Sequence, residues 1–133
     1  MSKSKWLYSL VCFSSSLVAQ PQDPTCVAGN IMEIKSSSNK LEVHTSNRTI
    51  IDWKSFSIGA GETTRFVQQT ASGAVLNRVS GNLSSQILGT LLSNGSVYLI
   101  NPQGILIGKE GKINVAHFLA STLDIDNNQF LQN

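Results

Sequence analysis

Asp124 and Asp126 are the residues of this sequence whose type and spacing come closest to acid–base chemistry. Residues two apart on a strand point to the same face, and two carboxyl groups on one face are what glycoside hydrolases use. A lone pair of this kind is more often part of a solvated face or a turn. The pair by itself therefore does not predict a catalytic site.

Neither the histidines nor any known catalytic motif supports an active site around that pair. His44 and His117 are far apart in sequence and have no cysteine or carboxylate partners at the spacing of metal ligands. The sequence contains no Gly-rich phosphate loop, no His-Glu metalloprotease motif and no nucleophile elbow. We therefore predict that the protein is not an enzyme and that it holds no metal or cofactor.

The two cysteines predict no disulfide within the chain. Cys12 lies in a segment that we expect export to remove, and Cys26 would then be left without a partner. No His or Asp setting that would activate the Cys26 thiol is evident in the sequence. We expect Cys26 to be a partly buried small side chain.

The charge balance gives no support for a strongly anionic partner. The 133 residues carry a formal charge of +2, and without Lys3 and Lys5 the basic and acidic residues are equal in number. A chain without net charge gains little electrostatic attraction to nucleic acid or to an anionic membrane, so we predict neither as a partner.

The first 19 residues are typical of a secretory signal peptide. Lys3 and Lys5 form a short positive region, and the run "WLYSLVCFSSSLVA" follows it. This run is too short and too rich in serine for a membrane-spanning helix, which needs about 20 mostly apolar residues. We predict cleavage after Ala19, which leaves residues 20–133 as the mature domain. A buried amphipathic N-terminal helix is the alternative interpretation.

The remainder of the chain consists of short extended segments between polar turns. The turns are rich in Gly, Asn and Ser, whose backbone freedom and short polar side chains suit turns. The segment "HFLASTLDI" fits a strand or one helical turn. The other strand candidates are "IMEI", "LEVHT", "RTIID", "FSIG", "TRFVQQ", "AVLNRV", "QILGTLL", "SVYLI", "GILIG" and "KINVA". Strands of this length predict an all-β domain.

Two continuous apolar triplets distinguish between all-β architectures. Residues 98–100 ("YLI") and 105–107 ("ILI") do not alternate between apolar and polar, as strands of a sandwich usually do. A parallel β-helix accommodates them, because its strands stack along a solenoid and its outer face can be covered. "NPQG" and "KEG" would then be corners of successive coils. Strand spacing alone is also compatible with a sandwich.

The run from "IIDWKSFSIGAGETTRFVQ" through "AVLNRVSGNLSSQILGTLLSNGSVYLINPQGILIG" to "INVAHFLASTLDI" closely resembles a known family. It is the filamentous-haemagglutinin N-terminal domain, also called the two-partner secretion or haemagglutination activity domain. The similarity is collinear over about residues 31–130. The family's Asn-Pro-Asn-Gly-Ile signature has Gln103 at its middle Asn and otherwise matches at Asn101, Pro102, Gly104 and Ile105. Asn77 and Arg78, followed by Val79, match the Leu-Asn-Arg-Val signature of the adhesin-like branch.

This resemblance implies a right-handed parallel β-helix with an N-terminal cap. It also implies export through the periplasm and recognition there by the POTRA domains of an outer-membrane transporter. The protein would then be secreted or surface-associated, and the domain would start β-helix folding. Domains of this family continue past the position of Asn133, so we expect the solenoid to be incomplete.

Two interpretations apply to the six signature residues, and two to the function. The signature residues could stabilise the fold or contact the transporter. Asn101, Pro102 and Gly104 have the chemistry of a turn, which favours the structural interpretation. For Asn77 and Arg78, a hydrogen bond at a corner or a position over the surface is at least as good an interpretation as transporter contact. The alternative function is an adhesin or carbohydrate-binding module that contacts a host surface or a glycan. We expect Trp53 and Phe56 to be core or cap aromatics rather than a sugar-binding platform.

Overall fold

A computed structural model describes residues 20–132, which form twelve strands and one short helix. The predicted signal peptide lies outside these residues. The strands are β1 (Thr25–Ala28), β2 (Ile31–Ser36), β3 (Lys40–Thr45), β4 (Arg48–Trp53), β5 (Thr63–Gln68), β6 (Ala74–Val79), β7 (Ser85–Ile87), β8 (Thr90–Ser93), β9 (Ser96–Ile100), β10 (Ile105–Ile107), β11 (Lys112–Asn114) and β12 (His117–Ser121). The helix α1 is Asn127–Gln132. Within the described residues, no helix is long and apolar enough to cross a membrane.

The strands stack into a parallel β-solenoid of about four coils. The first sheet has the order β1-β4-β6-β9-β12, the second β11-β8-β5-β3-β2, and the third contains β10 and β7. Each coil contributes one strand to the first sheet and one to the second, and from β3 onward all of these pairings are parallel. Parallel pairing between strands about one coil apart excludes the sandwich.

The solenoid interior is filled by side chains stacked in register from coil to coil. Leu41, Thr64 and Leu91 form one such column in the second sheet. Ile51, Asn77 and Leu99 form another in the first sheet. Aromatic side chains fill the space between the sheets, with Phe56 lying 5.6 Å from Trp53 and 6.3 Å from Phe66 between ring centroids. Trp53 and Phe56 are each 1% exposed, so they are core aromatics as predicted.

An antiparallel cap covers the N-terminal end of the solenoid. β1 pairs with β4 and β2 pairs with β3, both antiparallel and each with one register shift. The cap thereby occupies the free edge of the first coil in both large sheets. Cys26 lies on β1 and is exposed, so the expectation of partial burial was wrong. β1 is the outermost strand of its sheet, and most of its side chains have no neighbouring layer above them.

A second, smaller core covers the outer face of the first sheet. Ile50, Leu76 and Ile100 point outward and pack with Phe130 of α1. Leu99 points inward into the main core. Both faces of β9 are therefore covered, which explains the continuous triplet at residues 98–100. The triplet at residues 105–107 has a different environment, because Leu106 and Ile107 are 56% and 46% exposed.

Most of the predicted strands and both predicted corners are present in the structure. "AVLNRV" and "SVYLI" are β6 and β9, and "NPQG" and "KEG" connect consecutive strands of the third and fourth coils. "HFLAS" is strand β12. "QILGTLL" is two strands, β7 and β8, divided by a corner at Gly89. "FSIG" contributes only one isolated bridge, between Ile58 and Ile87.

Candidate functional site

Asn101 begins the corner that follows β9 and is fully buried. Its side-chain Oδ1 accepts a hydrogen bond from the Gln103 amide at 2.9 Å, which closes the turn. Its Nδ2 donates to the Leu83 carbonyl at 3.0 Å and to the Ser85 hydroxyl at 2.9 Å, both on the preceding coil. Its main-chain amide donates to the Ser121 carbonyl on the following coil. One side chain and its amide therefore connect three coils.

The other residues of the corner are more accessible. Pro102 and Gln103 are exposed, while Gly104 and Ile105 are half-buried. Gly104 has a φ of +112°, a conformation that residues with a Cβ rarely adopt. Its carbonyl accepts from the Ser85 amide at 2.9 Å. The exposed surface of this corner is thus supplied by Pro102 and Gln103.

Asn77 lies inside the solenoid and is fully buried. Its Oδ1 accepts a hydrogen bond from the Trp53 indole Nε1 at 2.8 Å. Its Nδ2 donates to the Tyr98 carbonyl at 3.2 Å. Asn77 therefore satisfies the one polar atom of the core tryptophan, and a buried N–H would be costly to leave unpaired.

Arg78, the next residue, lies on the outer face. Its Nε donates to Asp124 Oδ1 at 2.8 Å, and its Nη2 donates to the Ile125 carbonyl at 2.9 Å and to Asn127 Oδ1 at 2.7 Å. Asp52 lies on its other side, with 3.7 Å between Nη1 and Oδ1. Three hydrogen bonds therefore hold the segment that leads into α1.

The two signatures lie side by side in the first sheet. Asn77 is in register with Leu99, and Arg78 with Ile100, the residue before Asn101. Their side chains nevertheless point to three different places: Asn77 inward, Arg78 outward and Asn101 into the corner. They do not form one continuous surface patch.

The candidates for catalysis or metal binding are not brought together. Asp124 is engaged by Arg78, and the Asp126 carbonyl accepts from the Phe130 amide of α1. His44 Nε2 is 3.0 Å from Glu42 Oε1, and His117 Nδ1 is 3.4 Å from the Ser96 hydroxyl. Within residues 20–132, no three His, Cys, Asp or Glu side chains are placed to hold a metal.

Sequence reasoning did not identify the partners of the signature residues. Ser85 is 16 residues from Asn101, and Asp124 is 46 residues from Arg78. Spacing along the chain carries no signal for such contacts, because they depend on which coils stack and in which register.

Known proteins resemble this chain along most of its length. The family model of the TPS secretion domain matches residues 15–133. Two heme/hemopexin-binding proteins of Haemophilus influenzae, one of them from strain ATCC 51907 / DSM 11121 / KW20 / Rd, are 40% and 39% identical over 107 residues. The aligned part is 80% of this chain and 12% of each relative. The chain therefore spans only about an eighth of the length of these relatives.

A solved structure shows the same fold. The crystal structure of the HMW1 secretion domain from Haemophilus influenzae superposes with a TM-score of 0.81 at 43% sequence identity. The match covers 84% of this chain and 30% of that chain.

Proposed function

The chain belongs to the TPS secretion domain family of two-partner secretion exoproteins, and we propose that POTRA domains of an outer-membrane transporter bind it before it folds. The family is exported and secreted by way of the outer membrane, which implies a partner transporter. In this proposal residues 1–19 direct the chain to the periplasm. The transporter then engages residues 20–133 in an extended form, and the domain starts β-helix folding after translocation.

The burial of the two signature asparagines carries this proposal. Asn77 and Asn101 are each 0% exposed, and their side-chain polar atoms are bonded inside the domain. A transporter cannot contact these side chains once the coils have stacked. A transporter that contacts these side chains must therefore bind before the domain folds. In the folded domain, the same residues stabilise a corner and the core.

Strand addition is the mode of binding that suits such a chain. An extended segment can pair with a sheet edge of the partner, where main-chain hydrogen bonds supply affinity and alternate side chains supply specificity. The described strands are three to six residues long and separated by turns. Such segments are available for edge pairing as long as the solenoid has not formed.

The N-terminal cap supports the second half of the proposal. A solenoid needs a terminal unit that protects its first coil, and β1 and β2 supply one. Coils that leave the transporter later can add in register to β4 and β3.

The direct test compares POTRA binding to the unfolded and the folded chain. Purified POTRA domains of the cognate transporter are mixed with residues 20–133 either diluted from urea or refolded beforehand. We expect binding that decays at the rate of folding and little binding to the refolded domain. Equal affinity for the refolded domain would overturn recognition before folding.

Asn101→Ala separates recognition from folding in the same assay. The substitution removes three side-chain hydrogen bonds, and we expect it to cost about 1–3 kcal/mol of stability. If the side chain acts only in the corner, POTRA binding to the unfolded chain stays unchanged and secretion falls with stability. Loss of binding by the unfolded variant would instead make Asn101 part of the recognition signal.

The carbohydrate-binding alternative lacks a specific observation in its favour. The aromatic side chains within residues 20–132 are buried or half-buried, including Trp53 and Phe56. A glycan-array screen of the folded domain tests this alternative. Reproducible binding of one sugar would favour adhesion over secretion as the role of this region.

A further inference from the structure

Residues 122–132, named the clasp here, leave the solenoid path after β12 and lie over the outer face of the first sheet. Asp124, Ile125 and Asn127 provide its front contacts, and Phe130 in α1 provides its rear contact. Both contacts reach back to coils that precede β12.

The front contact is polar and centres on Arg78 of β6. The guanidinium donates three hydrogen bonds to the clasp at 2.7–2.9 Å, through Nε and Nη2. The Arg78 side chain is 18% exposed, whereas that of Asp124 is 64% exposed. Charge-assisted hydrogen bonds from a largely covered arginine are stronger than an ordinary surface pair.

The rear contact is apolar and centres on Phe130. This side chain is 2% exposed and packs on Ile50, Leu76 and Ile100. Its ring centroid lies 5.3 Å from that of Tyr98, edge to face, and the Arg48 guanidinium carbon lies 5.6 Å from it. Aromatic and cation–π geometry of this kind adds to the gain from burial.

The clasp contacts come from three successive coils of the solenoid. Arg48 and Ile50 belong to β4, Leu76 and Arg78 to β6, and Tyr98 and Ile100 to β9. No single coil presents the complete set. We infer that the clasp closes only when the first three coils are stacked in register, and that it then holds the coil of β10, β11 and β12 on the stack.

The coil of β10, β11 and β12 is where such a fastening has an effect, because the clasp follows β12 directly. β11 and β12 have no buried residue, and Leu119 is 42% exposed. The clasp connects the chain that follows β12 directly to β4 and β6, on the far side of this coil.

Hydrogen exchange of the full chain, resolved by strand, tests the inference. Arg78→Met removes the front contact, Phe130→Ala the rear contact, and Asp124→Asn is a milder change at the surface. We expect the amides of β12 and α1 to exchange about tenfold faster in the first two variants, with β3 and β5 unchanged. Asp124→Asn should give a smaller change in the same amides.

Arg65→Met is the matched control. Arg65 lies on β5 with its side chain on the outer face, where it is 47% exposed and its Nη1 is 3.9 Å from Glu42 Oε2. This control should leave exchange in β12 and α1 at the wild-type rate. Salt should speed exchange in α1 of the wild type and have less effect in Arg78→Met, since it screens the exposed Asp124 charge.

Two results would overturn the inference. One is exchange in β12 that is unaffected by both Arg78→Met and Phe130→Ala. The other is an equal acceleration in all coils, which would make these residues ordinary contributors to global stability. Neither result bears on POTRA binding, because the experiment contains no transporter.

Discussion

At the scale of single residues, Gly104 is required in its corner by backbone conformation and not by close packing. A Cβ added there would have only the Ser84 Cβ nearby, at 3.9 Å, which is an ordinary contact. The φ of +112° is therefore the feature that calls for glycine. We expect Gly104→Ala to lower stability by about 1–3 kcal/mol. Urea unfolding measures this change, with Gln103→Ala, an exposed position of the same corner, as the control.

Equal stability of the two alanine variants would contradict this account. The corner would then adjust its backbone at no cost, and the signature glycine would have to be explained by recognition rather than by conformation.

Glu42 gives a pH dependence at the same scale. A hydrogen bond from His44, aided by Lys40 and Arg65, holds the pKa of Glu42 below its ordinary value, against an opposing effect of burial. A carboxyl group with a lowered folded-state pKa adds stability above its ordinary pKa, and that stability is lost as pH falls through the lower value. We therefore expect Glu42→Gln to lose less stability than the wild type between pH 6 and pH 3.

Urea unfolding at the two pH values checks this expectation. Glu110→Gln, an exposed carboxylate in a corner, is the control and should follow the wild type. If the wild type and Glu42→Gln lose the same unfolding free energy between the two pH values, the cluster around Glu42 does not contribute to acid sensitivity.

At the scale of elements, the Trp53–Asn77 contact joins β4 to β6 inside the core. Asn77→Leu removes the acceptor of a buried indole N–H, which should cost about 1–3 kcal/mol. In a Trp53→Phe background there is no N–H to leave unpaired, so the same substitution should cost less. A double-mutant cycle measures this coupling. Additive losses would mean that the hydrogen bond is not what retains Asn77.

The elements also show what the sequence could and could not predict. β6 and β9 were predicted to the residue because apolar runs there are bounded by Gly, Ser and Asn. "QILGTLL" was read as one strand, although a Cβ at Gly89 would collide with the main-chain oxygens of Gly59 and Glu62 in a corner. The sequence does not predict β1, because this edge strand is only four residues long and its side chains are mostly exposed. Turn chemistry predicts a hydrogen bond of Asn101 within its corner, which the Gln103 amide donates, but the clasp partners of Arg78 come from tertiary stacking.

At the scale of the whole molecule, export should remove the N-terminal segment. The pattern of Lys3, Lys5 and the apolar run ending at Ala19 predicts this cleavage. Gln20 is part of the folded domain, because its Nε2 donates to the Ser37 carbonyl at 3.0 Å. Mass spectrometry of the exported protein should find Gln20, or a residue close to it, at the N-terminus. Exported protein that retains Met1 would refute the cleavage.

The antiparallel cap also changes what the N-terminal end of the solenoid offers to a second copy of this domain. A stack of parallel strands can template fibres, and head-to-tail growth of a fibre needs two complementary ends on every copy. β1 and β2 run against the stack, and register shifts lie between Cys26 and Ala28 and between Ile31 and Glu33. Bulged antiparallel strands offer a poor template for the regular parallel pairing of a cross-β fibre. Head-to-tail growth of a fibre through the N-terminal end of the described solenoid is therefore disfavoured.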